Sequence, residues 1–80
     1  MRAKIYVTPR KGVLDPQGKA IEGSLHSLGF KEAGEVKMGK YLTIELKGVT
    51  PSEARQRVQK MCEKLLTNPI VEDFTFEIEE

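Results

Sequence analysis

The sequence predicts an α/β (α+β) two-layer sandwich, with two helices on one face of a small sheet. Three observations carry that prediction. Stretches near both ends and in the middle alternate apolar and polar residues with the period of a half-buried strand. Two intervening stretches repeat with the period of an amphipathic helix. Each helical stretch is bounded by residues that start and stop helices. The order is strand, helix, strand, helix, strand, and 80 residues suffice for one domain, 1–80.

Ala3, Ile5 and Val7 alternate with Lys4, Tyr6 and Thr8, and Pro9 ends this first strand. A helix from Pro16 to about Leu28 places Ala20, Ile21, Ser24, Leu25 and Leu28 on one side, with Lys19, Glu22 and His26 on the other. Asp15 caps its start. Pro16 sits in its first turn, where a missing N–H is harmless. Gly29 supplies the left-handed residue that stops it, and a Schellman ending brings Phe30 toward Leu25.

The middle segment constrains the topology. Val36, Met38, Leu42, Ile44 and Leu46 keep one parity, interrupted by Lys40 beside Gly39. A two-residue hairpin at Gly39-Lys40 would put the apolar residues of its second arm on the wrong face. Two arrangements remain. One is a long middle strand bent at Gly39; the other is a hairpin over an odd loop such as Gly39-Lys40-Tyr41, which would make the chain βαββαβ. Glycine marks bends and bulges in strands, and the long bent strand is the arrangement adopted here.

Thr50-Pro51-Ser52-Glu53 is a capping box with proline at the first helical position, and Val49 is placed to staple against Ala54. Ala54, Val58, Met61, Cys62, Leu65 and Leu66 follow at helical spacing, and Asn68-Pro69 stops this helix. The last strand, Val71 to about Ile78, buries Phe74, Phe76 and Ile78. The whole has ferredoxin-like character. If each half uses only part of the middle strand, a second copy of the chain completes both narrow sheets.

Composition excludes several classes. A domain this small is often stabilised by association. One cysteine allows no internal disulfide and no Cys-rich zinc site, which suits a reducing cytoplasm. No apolar run is long enough to cross a membrane as a helix, and the first residues lack a signal peptide's apolar core. Net charge is +1. Residues 1–40 carry eight Lys/Arg against four Asp/Glu, and residues 41–80 carry five against eight. An imbalance of that size fits solvated faces or the orientation of a charged partner.

Candidate chemistry is sparse. Lys11-Gly12-Val13-Leu14-Asp15-Pro16-Gln17-Gly18-Lys19-Ala20 has the look of a phosphate-binding loop, but five residues separate its glycines instead of four. Ala20 lacks the hydroxyl that would reach Mg²⁺, and Asp15 puts negative charge where backbone N–H groups should face phosphate. Cys62 lies in the apolar stripe of the second helix with nothing near it in sequence to lower its pKa, so it reads as a core residue. His26 lies one turn from Glu22, positioned to pair with it or to meet a partner. Tyr6 and Tyr41 are candidates for base stacking. Glu35 and Glu45 on the exposed parity and the near-neutral charge oppose nucleic-acid binding.

Four blocks in order, Lys11–Ala20 (KGVLDPQGKA), Leu25–Phe30 (LHSLGF), Val36–Tyr41 (VKMGKY) and Met61–Phe74 (MCEKLLTNPIVEDF), resemble the PurS family. These are the small subunits of the multi-subunit phosphoribosylformylglycinamidine synthase of purine biosynthesis. Met38 and Thr67 depart mildly from the family's pattern, which has Val and Ala there. The resemblance implies a cytoplasmic, non-catalytic subunit that binds no cofactor itself. ATP and Mg are then expected on the large ligase subunit, PurL, while a glutaminase subunit, PurQ, releases ammonia. The small subunit bridges the two, assists ammonia transfer, and assembles with itself as a dimer or dimer of dimers. Contacts with partners are expected at Asp15, Gln17 and His26 from the first loop and helix, and at Asn68 and Glu72 near the second turn. The alternatives are a small-metabolite-sensing module and an RNA-binding module of similar fold.

Overall fold

The computed structural model describes all residues, 1–80. Its elements run β1 (Arg2–Pro9), α1 (Pro16–Ser27), β2 (Lys40–Glu45), α2 (Pro51–Met61), a π-helical turn (Cys62–Leu66) and β3 (Glu72–Glu79). The three strands form one antiparallel sheet in the order β2-β1-β3. The α+β class expected from the sequence is therefore present.

Register follows the parity of the apolar residues. Ala3 pairs with Ile44 and Ile78, and Ile5 with Leu42 and Phe76, so one sheet face is continuously apolar. α2 lies on that face. Ala3, Ile5, Ala54, Val58 and Cys62 are wholly buried and Val7 nearly so, with Leu42, Ile44, Phe74, Phe76 and Ile78 half-buried around them. Each fully buried aliphatic side chain contributes about 1.5–3 kcal/mol relative to exposure, so the central strand and one helix hold most of the core.

Both helices begin as expected. The Thr50 hydroxyl accepts from the Glu53 N–H at 3.2 Å, and the Glu53 carboxylate accepts from the Thr50 N–H at 3.2 Å. This closes the capping box. At the end of α1, the Phe30 N–H donates to the Leu25 carbonyl at 2.9 Å and the Gly29 N–H to the His26 carbonyl at 3.1 Å. With Gly29 at φ +102°, this is the Schellman ending.

Three expectations need correction. First, α1 does not join α2 on the sheet: it makes at most marginal contact with the other elements. Ala20, Ile21 and Leu28 of its apolar side are exposed. The molecule accordingly extends over 50 × 25 × 14 Å with a radius of gyration of 16.1 Å, against about 12 Å for a compact chain of this length. Caps and stops form the helix locally, but a single copy has no surface placed to cover it.

Second, only Lys40–Glu45 of the long middle segment is laddered, against β1. Residues 35–39 run on without a strand partner in the chain and do not fold back as a hairpin. β1 runs only two residues past the last pair, Val7 with Lys40; Pro9 has no N–H to give and the Met38 N–H goes to Asp15 instead. At Gly39 a side chain would press on the Val7 carbonyl, which is why glycine suits the end of the ladder.

Third, Leu65 is not a core residue. The helix widens after Met61 into a π turn closed by the Thr67 N–H on the Cys62 carbonyl at 3.0 Å. The wider turn rotates the following residues, so Leu66 packs on the core and Leu65 is 82% exposed.

Candidate functional site

The five expected contact residues fall into two groups, one at α1 and one at the turn into β3. Asp15 anchors the first. Its backbone is extended at φ −118°, as an N-cap requires, and its Oδ1 accepts from the Gly18 N–H at 3.2 Å. Its Oδ2 accepts from the Met38 N–H at 2.7 Å. One carboxylate thus caps α1 and ties it to the unladdered segment before β2. The Met38 N–H, and after it that of Gly18, hold the Asp15 carboxyl below its ordinary pKa.

The crossing is close enough to specify a glycine. The Val36 carbonyl lies against Gly18, the one buried residue of α1, where any Cβ would overlap it. Val13, Leu14, Asp15, Lys19, Glu22, Glu35, Val36 and Lys37 line a small cleft of about 100 Å³ beside this crossing. Its charges are matched, Lys19 to Glu22 at 3.6 Å and Lys37 to Glu35 at 3.7 Å.

His26 does not pair with Glu22. Its Nε2 donates to the Ala33 carbonyl at 2.7 Å and so closes the loop after α1, while Glu22 takes Lys19. Gln17 is exposed and its side chain has no hydrogen bond in the chain. Of the first group it alone has no local structural task.

Asn68 and Glu72 do meet. The Asn68 N–H donates to Glu72 Oε1 at 2.8 Å, the Glu72 N–H returns to the Asn68 carbonyl at 2.8 Å, and Asn68 Oδ1 takes the Ile70 N–H at 3.1 Å. These bonds build the turn into β3. Glu72 Oε2 lies 3.9 Å from Lys40 Nζ, and the Arg10 guanidinium reaches Asp73 at 3.3 Å. Met38 and Lys40, two residues apart, therefore connect the two groups: the first is held by Asp15 and the second faces Glu72.

Nothing in this arrangement resembles a reaction centre. No group of three or more His, Cys, Asp or Glu is gathered to hold a metal ion. Cys62 is buried, and burial followed by the Glu63 charge pushes its thiol pKa up, away from the reactive thiolate. Tyr6 and Tyr41 do stack across β1 and β2, with ring centroids 5.1 Å apart, on the open face of the sheet. Desolvation, and then the neighbouring Glu77, raise the Tyr6 pKa. No helix is long and apolar enough to cross a membrane.

Sequence reasoning missed two features of the turn after α2. The Thr67 hydroxyl is buried without any hydrogen-bond partner, and the π turn exposes Leu65. The adjacent Leu65-Leu66 pair offered a choice of which leucine faces inward, but periodicity alone assigned both.

Residues 2–80 match the family model described as PurS: Phosphoribosylformylglycinamidine (FGAM) synthase. Among curated relatives, the chain is 39% identical over 79 residues to phosphoribosylformylglycinamidine synthase subunit PurS of Bacillus subtilis, covering 99% of this chain and 93% of the relative. The backbone is similar to a crystal structure of B. subtilis PurS, with a TM-score of 0.88 over 99% of this chain and 98% of that one. It is similar to Methanocaldococcus jannaschii PurS, described as one of the subunits of formylglycinamide ribonucleotide amidotransferase, at TM-score 0.86 and 33% identity over 99% and 95% of the two chains. A chain from the structure of PurLQS of Thermotoga maritima also matches, at TM-score 0.85 and 32% identity over 95% and 93%.

Proposed function

Because this chain belongs to the PurS family of phosphoribosylformylglycinamidine synthase, we propose that it is the small, non-catalytic subunit of that complex. In this reading it bridges a glutaminase subunit, PurQ, and an ATP-dependent ligase subunit, PurL. It assists the transfer of ammonia by which formylglycinamide ribonucleotide and glutamine give formylglycinamidine ribonucleotide in purine biosynthesis. The observation that carries the reading is the match across residues 2–80, in a chain whose polar residues build turns and caps rather than a reaction centre. ATP and Mg belong on the ligase subunit, the present chain binding no cofactor, and the complex works in the cytoplasm.

Self-association is part of the same reading. The exposed apolar side of α1 and the unladdered backbone of residues 35–39 are unmet needs that a second copy meets by adding strands and covering the helix. Asp15, Gln17 and His26 on one side, and Asn68 and Glu72 on the other, then stand at the margins of that assembly as contacts for the larger subunits. For Asp15, His26, Asn68 and Glu72 the contact is secondary to a structural task, so Gln17 is the cleanest candidate.

Reconstitution tests the proposal. PurQ and PurL, mixed with and without this chain, should form the amidine from glutamine efficiently only when the chain is present. Equal glutamine-dependent rates in both mixtures would overturn it.

A further inference from the structure

The outer side of α2 carries a charge pattern that the fold does not consume. Five of the thirteen Lys and Arg face a carboxylate within 4.0 Å and eight do not; of those eight, Arg57, Lys60 and Lys64 are the ones gathered along one side of α2. These three cations and Met61 line one shallow groove of about 340 Å³. Leu65 follows one turn after Met61, 82% exposed because the π turn sends Leu66 inward in its place. The helix dipole accounts for cations in the last turns, where Lys60 and Lys64 sit, and Arg57 stands one turn from Glu53, whose carboxyl its charge favours, but neither accounts for an exposed leucine.

We propose that Arg57, Lys60, Met61, Lys64 and Leu65 form a docking strip for an acidic protein segment that carries an apolar side chain, on another subunit of the synthase. The inference rests on the subunit reading given above and adds the surface and the chemistry of its occupant. Charge complementarity selects the occupant, since three unpaired cations beside a thioether and a leucine match carboxylates around an apolar anchor. A second copy is better served elsewhere: exposed helix surface and free backbone lie on α1 and residues 35–39. Nucleic acid fits poorly, because the strip has no aromatic residue and the stacked tyrosines lie on the opposite face of the sheet.

The test uses the full chain with purified PurQ and PurL. Binding of the wild type, the triple variant Arg57→Glu/Lys60→Glu/Lys64→Glu, and Leu65→Ser to each subunit and to a single-stranded oligonucleotide is measured by calorimetry at low and high salt. Oligomer mass and thermal unfolding are followed in parallel. The triple variant should lose at least about tenfold in affinity for one of the two subunits. Leu65→Ser should weaken the same interaction while keeping its salt dependence. Oligomer mass should be unchanged, since all four altered side chains are exposed, and thermal unfolding should move by only a few degrees, through the reversed charges near the end of the helix.

Unchanged affinity in both variants, with wild type bound, would overturn the strip and leave the subunit reading intact. Wild type that binds neither subunit would overturn both. Dissociation of the oligomer by the triple variant would assign the strip to contacts between copies, and loss of oligonucleotide binding as the sole effect would assign it to nucleic acid. Either result also refutes the proposal.

Discussion

Replacing Gly18 by Ala should destabilise α1, against the ordinary rule for helices. In an open helix position the change stabilises by about 1 kcal/mol, because alanine loses less conformational freedom on folding. At Gly18 the new Cβ would overlap the Val36 carbonyl and press on Asp15 Oδ2 at 2.8 Å. The obstacle is backbone, so it cannot swing aside as a side chain would, and Val36 must move away from the helix. Overpacking of this kind costs about 1–3 kcal/mol, leaving a net loss of up to about 2. The shift also pulls on the Met38 N–H held by Asp15. Gly23 supplies the control, since a Cβ there meets nothing within 4 Å and its alanine variant should gain up to about 1 kcal/mol. Hydrogen exchange of the α1 amides after Pro16, together with urea unfolding, reads both effects. If Gly18→Ala protects α1 as well as Gly23→Ala does, the crossing of Val36 over the helix is wrong.

Three further outcomes are expected. Thr67→Val, which keeps the shape and removes the orphaned hydroxyl, should stabilise by about 1–2 kcal/mol, raising Tm by roughly 4–8 °C per kcal/mol; a lower Tm would mean that the hydroxyl has a partner. The Asp15 carboxyl has a folded pKa below its ordinary value of 3.8, so its contribution to α1 is present above that value and is lost as pH falls through the lower, folded one. Protection of α1 should therefore fall off below about pH 4 in the wild type and much less steeply in Asp15→Asn, and parallel profiles would contradict the assigned hydrogen bonds. Cys62, fully buried and with its thiol pKa raised, should resist alkylation at pH 8 in the native protein and react fully in denaturant; rapid native labelling would show that α2 opens.

The candidate contact residues show how far local pattern reaches. Asp15 as a cap needs only the residues that follow it, and the structure adds the Met38 bond, 23 positions away, that no spacing rule announces. Asn68 and Glu72 are four apart and were expected near one turn; their reciprocal bonds are local, but the approach of Lys40 depends on both edge strands flanking β1. His26 was placed beside Glu22 by helical spacing, yet the loop closing behind α1 brought the Ala33 carbonyl nearer than any rule of helix faces provides.

By itself the sequence determined the elements, their ends and their faces: the Asp15 cap, the Thr50–Glu53 box, the Gly29 stop, and the apolar parity of all three strands. Those depend on hydrogen bonds and side-chain periods spanning a few residues, which a linear string records directly. The tertiary structure alone decided that α2 covers the sheet while α1 stands apart, that residues 35–39 leave the ladder and the Met38 N–H goes to Asp15, and that a π turn exposes Leu65 in favour of Leu66. Each is a matter of which distant surface is available to bury an apolar side chain or receive a backbone hydrogen bond. A helix face looks the same in sequence whether its cover comes from its own chain or from another.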